Sequence, residues 1–210
     1  MTDVIVYYRS LAGLSRSDLA ARWLQSLPYA KRQAVERAPE PAAIATLAGI
    51  DLLAQGAAAL RGVGLDASVL KFPEGGKPAW PGGPAFSISH TAAWVACAVS
   101  ATLTVGLDIE NPARVRREIL RRIASARELA LHEARPQGLA VLWTRKEAVL
   151  KAAGASVFDA AAVAVDEAGA EFRGRRWYFG GADALEGCAM ALATERPGTD
   201  VDLRLAVQLA

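Results

Sequence analysis

Val105-Gly106-Leu107-Asp108-Ile109-Glu110 is a short apolar run interrupted twice by a carboxylate, and its reading decides the fold. Its apolar residues predict a buried strand. Strand side chains alternate faces, so Asp108 and Glu110 share one face, and Leu107 and Ile109 share the other. Two close carboxylates resist burial together unless a cation lies between them. Oxygen-only donors favour a hard cation, Mg²⁺ rather than Zn²⁺.

A second stretch, Trp143-Thr144-Arg145-Lys146-Glu147-Ala148-Val149-Leu150-Lys151, adds one carboxylate and two ammonium groups. It belongs to a helix predicted over Gly138 to Ala153 and ended by Gly154. Trp143, Glu147 and Lys151 recur every fourth residue and lie along one side. Lys146 sits about 100° round from Glu147, on the neighbouring stripe. As a plain surface feature, Glu147 and Lys151 would form an exposed pair, but Trp143 argues against a fully solvated stripe. A metal held by acids beside lysines suits a substrate that carries a polyphosphate.

Working outward, 210 residues with a 52% apolar share are enough for one large or two small globular domains. A net charge of +2 excludes a general polyanion binder, so no nucleic-acid partner is expected and anion sites must be local. Cys97 and Cys188 form no CxxC pair and read as reduced thiols. The N-terminus lacks the basic and long apolar regions of a signal peptide. The uncharged stretch from Thr91 to Leu107 is too short and too polar for a membrane span and reads as two adjacent strands. A cytoplasmic protein away from membranes is expected.

Before it, Val4 to Tyr8 predicts a strand, and Ser15 or Ser17 caps a helix to about Ser26 with Leu19, Trp23 and Leu27 on one face. Lys31, Arg32 and Arg37 form a basic cluster, either a solvated helix face or an anion contact. Pro41 opens an Ala/Leu-rich helix to about Leu60, and Arg61 to Gly64 is a turn. The loop from Pro73 to Pro84 is dense in Gly and Pro, and Lys77 is fixed there between Gly76 and Pro78. It is not a Walker A loop, because Pro78 follows the lysine. Phe86 to Thr91 alternates as a strand and carries Ser89 and His90. After Glu110, one arginine-rich helix is expected from Ala113 to about Glu133, with Val115, Ile119, Leu120 and Ile123 on its apolar face. That helix offers either a solvated face or a docking surface for an acidic partner. The remainder, from Ala162 to Gln208, reads as strands.

Taken in order, Gly76-Lys77-Pro78, Ser87-Ile88-Ser89-His90, Gly106-Leu107-Asp108-Ile109-Glu110 and Trp143-Thr144-Arg145-Lys146-Glu147 with Lys151 resemble the 4′-phosphopantetheinyl transferases. The broad-specificity Sfp-type branch fits best by length and by its two-part layout. The resemblance implies an α+β fold of two similar, pseudo-duplicated halves, residues 1–104 and 105–210, with the active site in the cleft between them. It implies Mg²⁺-dependent transfer of the phosphopantetheine arm of coenzyme A to a serine of an acyl or peptidyl carrier protein, releasing 3′,5′-ADP, by a monomeric enzyme of the kind used in secondary metabolism. Asp108, Glu110 and Glu147 would hold the metal, and Glu147, or a metal-bound water, would take the serine proton. Lys151 would steady the pyrophosphate, with Lys146 as a further phosphate contact. Lys77, Pro78, Ser89 and His90 would hold the adenosine end with its 3′-phosphate.

Three positions depart from the family pattern. An arginine common before Thr46-Leu47-Ala48-Gly49 is Ala45 here, leaving Lys31, Arg32 or Arg37 to replace it. The usual Phe-Phe-Ser-x-x-Glu is Ile123-Ala124-Ser125-Ala126-Arg127-Glu128, and the usual Gly-x-Gly is Gly154-Ala155-Ser156. Two other activities use the same side chains: a Mg²⁺-dependent phosphoesterase acting on coenzyme A or a nucleotide, and a non-catalytic coenzyme A-binding module.

Overall fold

The computed structural model describes residues 2–206 except 63, 75, 136, 182 and 183. Gly75 of the Gly/Pro-rich loop, Val63 of the turn before it, and the end of a last strand expected to reach Gln208 lie outside the described residues.

The chain is α+β. In order it forms β1 (Val4–Ser10), α1 (Arg16–Trp23), α2 (Tyr29–Arg37), α3 (Glu40–Arg61), β2 (Ala85–His90), β3 (Trp94–Ser100) and β4 (Val105–Glu110). It continues with α4 (Arg117–Ile123), α5 (Ala126–Glu133), α6 (Gly138–Ala153), β5 (Ala164–Val165), β6 (Ala170–Phe172), β7 (Arg175–Gly180), β8 (Ala184–Leu185), β9 (Cys188–Thr194) and β10 (Val201–Leu205). The described strands form two sheets, one ordered β10-β1-β3-β2 and the other β4-β9-β7-β6-β5, with β8 also on β9. All pairings are antiparallel except β10 on β1. The chain passes from the first sheet to the second between Ser100 and Val105 and returns to the first with β10.

α3 crosses the first sheet and supplies most of its core through Leu47, Ile50, Leu52 and Leu53, all buried. It is long and apolar enough to cross a membrane by length and composition, but 61% of that apolar window is buried within the protein. Its one buried acid, Asp51, accepts from Trp23 Nε1 at 3.0 Å and Gln55 Nε2 at 2.9 Å. Arg9 and Arg22 pair with the same carboxylate at 3.1 and 3.2 Å. That polar knot ties β1, α1 and α3 together, since a buried charge without such partners would cost several kcal/mol, on the order of 3–5.

One sequence expectation needs correction, and the partner of β4 was not legible in the sequence. β3 and β4 are adjacent in sequence but do not pair, because β4 joins β9. Both strands are buried on both faces, so their apolar pattern could not choose a partner. The Ser100 hydroxyl pins the connecting turn, accepting from Leu103 N at 3.1 Å and donating to Asp3 O at 2.7 Å. The single long helix expected after Glu110 is instead a 3-10 turn (Pro112–Arg114), α4 and α5. Ser125 starts α5 with a capping box: its hydroxyl accepts from Glu128 N, and Glu128 Oε2 accepts from Ser125 N at 2.6 Å. Ser-x-x-Glu was the available signal.

Gly106 decides how the second half packs. A Cβ there would meet Ala148 O at 2.0 Å, Ala152 N at 2.4 Å and Ala152 Cα at 2.9 Å. The backbone of α6 therefore lies directly on β4, over three of the smallest residues available. Gly106→Ala is expected to cost about 3 kcal/mol, because helix backbone cannot swing aside as a side chain can. Gly64→Ala, whose added Cβ has nothing within 4 Å, serves as the control. Urea unfolding of the two variants measures the difference, and equal midpoints would refute the close-packing account.

Candidate active site between β2, β4 and α6

β4 alternates as its sequence requires. Leu107 and Ile109 enter the apolar core shared with Val4, Val6, Ala96 and Ala98. Gly106, Asp108 and Glu110 take the other face, toward α6. β4 meets β2 through side chains and not through a backbone ladder. Ser87 Oγ accepts from Leu107 N at 2.9 Å, and Ser89 Oγ accepts from Ile109 N at 3.2 Å. Lys77 Nζ donates to Val105 O, two residues earlier on the same strand.

The centre of the site is Asp108, which is nearly buried. Its Oδ1 pairs with Lys151 Nζ at 2.7 Å and accepts from the Ser89 hydroxyl at 2.8 Å. Lys151 Nζ also donates to Ser89 Oγ at 3.0 Å. Lys151 therefore reaches across to β4 and β2 and does not pair with Glu147 on its own helix. Ser89, expected at the adenosine end, donates its hydroxyl proton to the aspartate.

Glu147 Oε1 is buried with no hydrogen-bond partner. Burial, then the negative charges of Asp108 and Glu110, push its carboxyl up to about 7, with Lys151 offsetting only part of this. The three acids therefore share one electrostatic field. Glu110 Oε1 accepts from the Asn111 N–H at 2.8 Å. Among the described residues no three His, Cys, Asp or Glu side chains are grouped closely enough to hold a metal as they stand. The donor set nonetheless fits a hard cation: all three candidates offer carboxylate oxygens, and one is an orphaned buried oxygen that repels the other two.

Two ammonium groups face the same region. Burial draws Lys77 down to about 8, and the charge of Lys151 adds to the effect. Lys77 and Pro78 line a cavity of about 440 Å³ with Trp80, Phe86, Ala152 and Gly154. A smaller cavity of about 70 Å³ lies beside Glu110, lined by Arg114, Val115, Arg116, Ile119 and Trp143. On α6, Glu147 and Lys151 fall between Trp143 at the one and Ala152 at the other. His90 ends β2 at the surface, and partial burial and Lys151 lower its pKa despite Asp108 and Glu110 nearby.

The other expected anion contacts are placed differently. Lys146, expected to touch phosphate, is fully buried. Its Nζ donates to Glu128 Oε1 at 2.7 Å and to Val163 O. This is a correction with a simple cause: its stripe of α6 faces the apolar core of Leu142, Val149 and Leu150, where an ammonium needs a buried acid. Sequence reading missed Glu128, which also accepts from Val165 N at 2.9 Å. Lys31 Nζ lies 5.0 Å from the centre of the Phe72 ring, just before the Lys77 loop. Arg32 turns outward, bonding to Gln25 Oε1 at 3.0 Å. Ala45 is 2% exposed, so an arginine there would have to displace core.

A sequence model of the 4′-phosphopantetheinyl transferase superfamily matches residues 104–185, less than half of the chain. The matched segment carries Asp108, Glu110, Glu147 and Lys151 but neither the Lys77 loop nor Ser89 and His90. No curated protein matches the chain.

Two outcomes follow from this geometry. Lys146→Met is expected to lower stability by about 3 kcal/mol, since it strands Glu128 without its cation. Chemical denaturation measures this, and a melt unchanged from wild type would remove the structural role. Glu147, with its pKa raised above its unfolded value of 4.5, keeps a proton on folding that the unfolded chain has already lost. Its contribution is therefore favourable at acid pH and is lost as pH rises toward about 7. In EDTA, Glu147→Gln should melt several degrees above wild type on the alkaline side of that range. The gap should close on the acid side, as thermal melts across the pH range would show.

Proposed function

We propose that the chain is a 4′-phosphopantetheinyl transferase of the Sfp type. It moves the phosphopantetheine arm of coenzyme A to a serine hydroxyl of an acyl or peptidyl carrier protein and releases 3′,5′-ADP. The carrying observation is that an orphaned acid, Glu147, shares one field with Asp108 and Glu110 beside the ammonium groups of Lys151 and Lys77. Acids for a cation and ammonium groups for a diphosphate meet on adjoining strand and helix. The superfamily match over residues 104–185 supports the same reading.

In this reading Asp108, Glu110 and Glu147 hold Mg²⁺, which when bound neutralises charge on the phosphate oxygens. Lys77, with Pro78 stiffening its turn, receives the adenosine end in the larger cavity, His90 adds a contact from the end of β2, and Lys31, over Phe72, is taken as the replacement for the arginine absent at Ala45. The carrier serine enters from the smaller cavity beside Glu110. Its oxygen bonds to the β-phosphorus as the bond to the 3′,5′-ADP oxygen breaks. Glu147 takes the serine proton; its unsatisfied oxygen has no competing protein donor. Lys151 stabilises charge on the departing phosphate. Positioning and charge stabilisation supply most of the catalysis in phosphoryl transfer.

Docking of the carrier is assigned to the arginines beyond β4. Arg114, Arg116, Arg121 and Arg122 are exposed and have no ionic partner among the described residues. An acidic carrier helix complements that face, while the apolar Ile119, 46% exposed, sits among them. The halves, residues 1–104 and 105–210, are taken as pseudo-duplicated units of a cytoplasmic monomer. In support, each half packs a long helix on a mainly antiparallel sheet, α3 on the first and α6 on the second.

Incubation with coenzyme A, Mg²⁺ and a panel of apo carrier proteins should add the phosphopantetheine mass to at least one carrier. Asp108→Ala should lower that rate at least about a hundredfold with the fold retained. Release of 3′,5′-ADP without any carrier would instead favour a phosphoesterase.

A further inference from the structure

The cation on Asp108 is one of the protein's own side chains. Lys151 Nζ holds Asp108 Oδ1 at 2.7 Å, the oxygen that also accepts from Ser89 at 2.8 Å. A divalent cation that takes this oxygen competes with Lys151 for it, because two cations on one carboxylate oxygen repel. Lys151, with its side chain 27% exposed, loses its charge partner on leaving unless another anion receives it. Among its neighbours, Glu147 makes no ion pair with it, and its other bond is to the neutral Ser89 hydroxyl. Lys77 provides a comparison within the same cleft, since its Nζ rests on a neutral carbonyl and not on a carboxylate.

Resting on the transferase reading above, we propose that Lys151 is a resident counter-cation of Asp108 that the metal and the diphosphate displace together. Lys151 would move off toward the diphosphate, leaving the Asp108 carboxylate free to serve as a metal ligand. Each ligand alone pays for breaking the Lys151–Asp108 pair, so each binds weakly alone and more tightly beside the other. Ser89 is the positioning residue of this exchange. Its hydroxyl is fixed by Ile109 N at 3.2 Å, independently of Lys151, and keeps Asp108 Oδ1 in place after the lysine leaves.

Calorimetric titration of Mn²⁺ into the full chain at neutral pH, with no coenzyme A present, tests the exchange. Lys151→Met should raise Mn²⁺ affinity at least about tenfold, the scale of one charge-assisted contact. Lys77→Met should change it by less than about twofold, since that lysine occupies no carboxylate. A second arm reads the opposite ligand. In EDTA, Asp108→Asn should raise coenzyme A affinity by about tenfold, because Lys151 is no longer held back. Unchanged Mn²⁺ affinity in Lys151→Met, an equal rise in Lys77→Met, or no gain in coenzyme A affinity in Asp108→Asn overturns the exchange and leaves the transferase reading standing. Wild-type protein that binds neither coenzyme A nor Mn²⁺ under any condition overturns both.

Discussion

The contact between the backbone of α6 and the backbone of β4 governs everything at the site. It exists because Gly106, Ala148 and Ala152 leave no side chain between helix and strand. The helix is held down on its far side by Leu142, Val149 and Leu150 in the second core. Glu147 and Lys151 immediately precede the two alanines that touch the strand. The packing that seats the helix therefore also carries one acid and one ammonium group to the face bearing Asp108 and Glu110. A bulkier residue at position 106 would push the helix out and part the acids without altering any of them.

A second constraint explains why the cleft exists. β2 and β4 are the facing edges of two sheets, and a backbone ladder between them would have closed the molecule into one continuous sheet. Side chains bridge the gap instead. Lys77, Ser87 and Ser89 bond in turn to Val105, Leu107 and Ile109. A serine hydroxyl accepts and donates at once, so Ser89 can take the Ile109 N–H and still direct its proton at Asp108. Side-chain bridging satisfies the strand edge while leaving room for charged groups that a ladder would exclude.

The alternation of β4 was legible, since Leu107 and Ile109 had to share a face, and so were α3, α6 and the Gly154 stop. The position of β4 was not. Strands buried on both faces carry no signal for their partner. The two lysines of α6 show the same limit. Helical periodicity put Lys146 and Lys151 on different stripes, but their fates depended on what each stripe met. Lys151 met Asp108, while Lys146 met Glu128, a residue fixed by a break in the preceding helix that was read as continuous. The capping box at Ser125 would have revealed that break, and with it a buried acid in need of a cation. Residue type in a motif marks chemical potential, and only tertiary placement decides whether it is used for structure or for a ligand.

The charges in the cleft obey the same rule. Glu128 and Lys146 satisfy each other completely and need nothing from outside. The cleft is built the opposite way. Lys77 is half-buried on a lone carbonyl and drawn down to about 8, while Glu147 is half-buried with an unpaired buried oxygen and pushed up to about 7. Both shifts mean that the native fold disfavours the charged form of each group relative to water. Pairing them with each other would relieve the strain, yet Glu147 forms no ion pair with either lysine. A cation for the acids and an anion for the ammonium groups relieve both at once, and a metal–diphosphate pair supplies both charges in one ligand set. The imbalance is therefore better understood as stored binding energy than as a defect of packing, as expected where function and stability compete for the same residues.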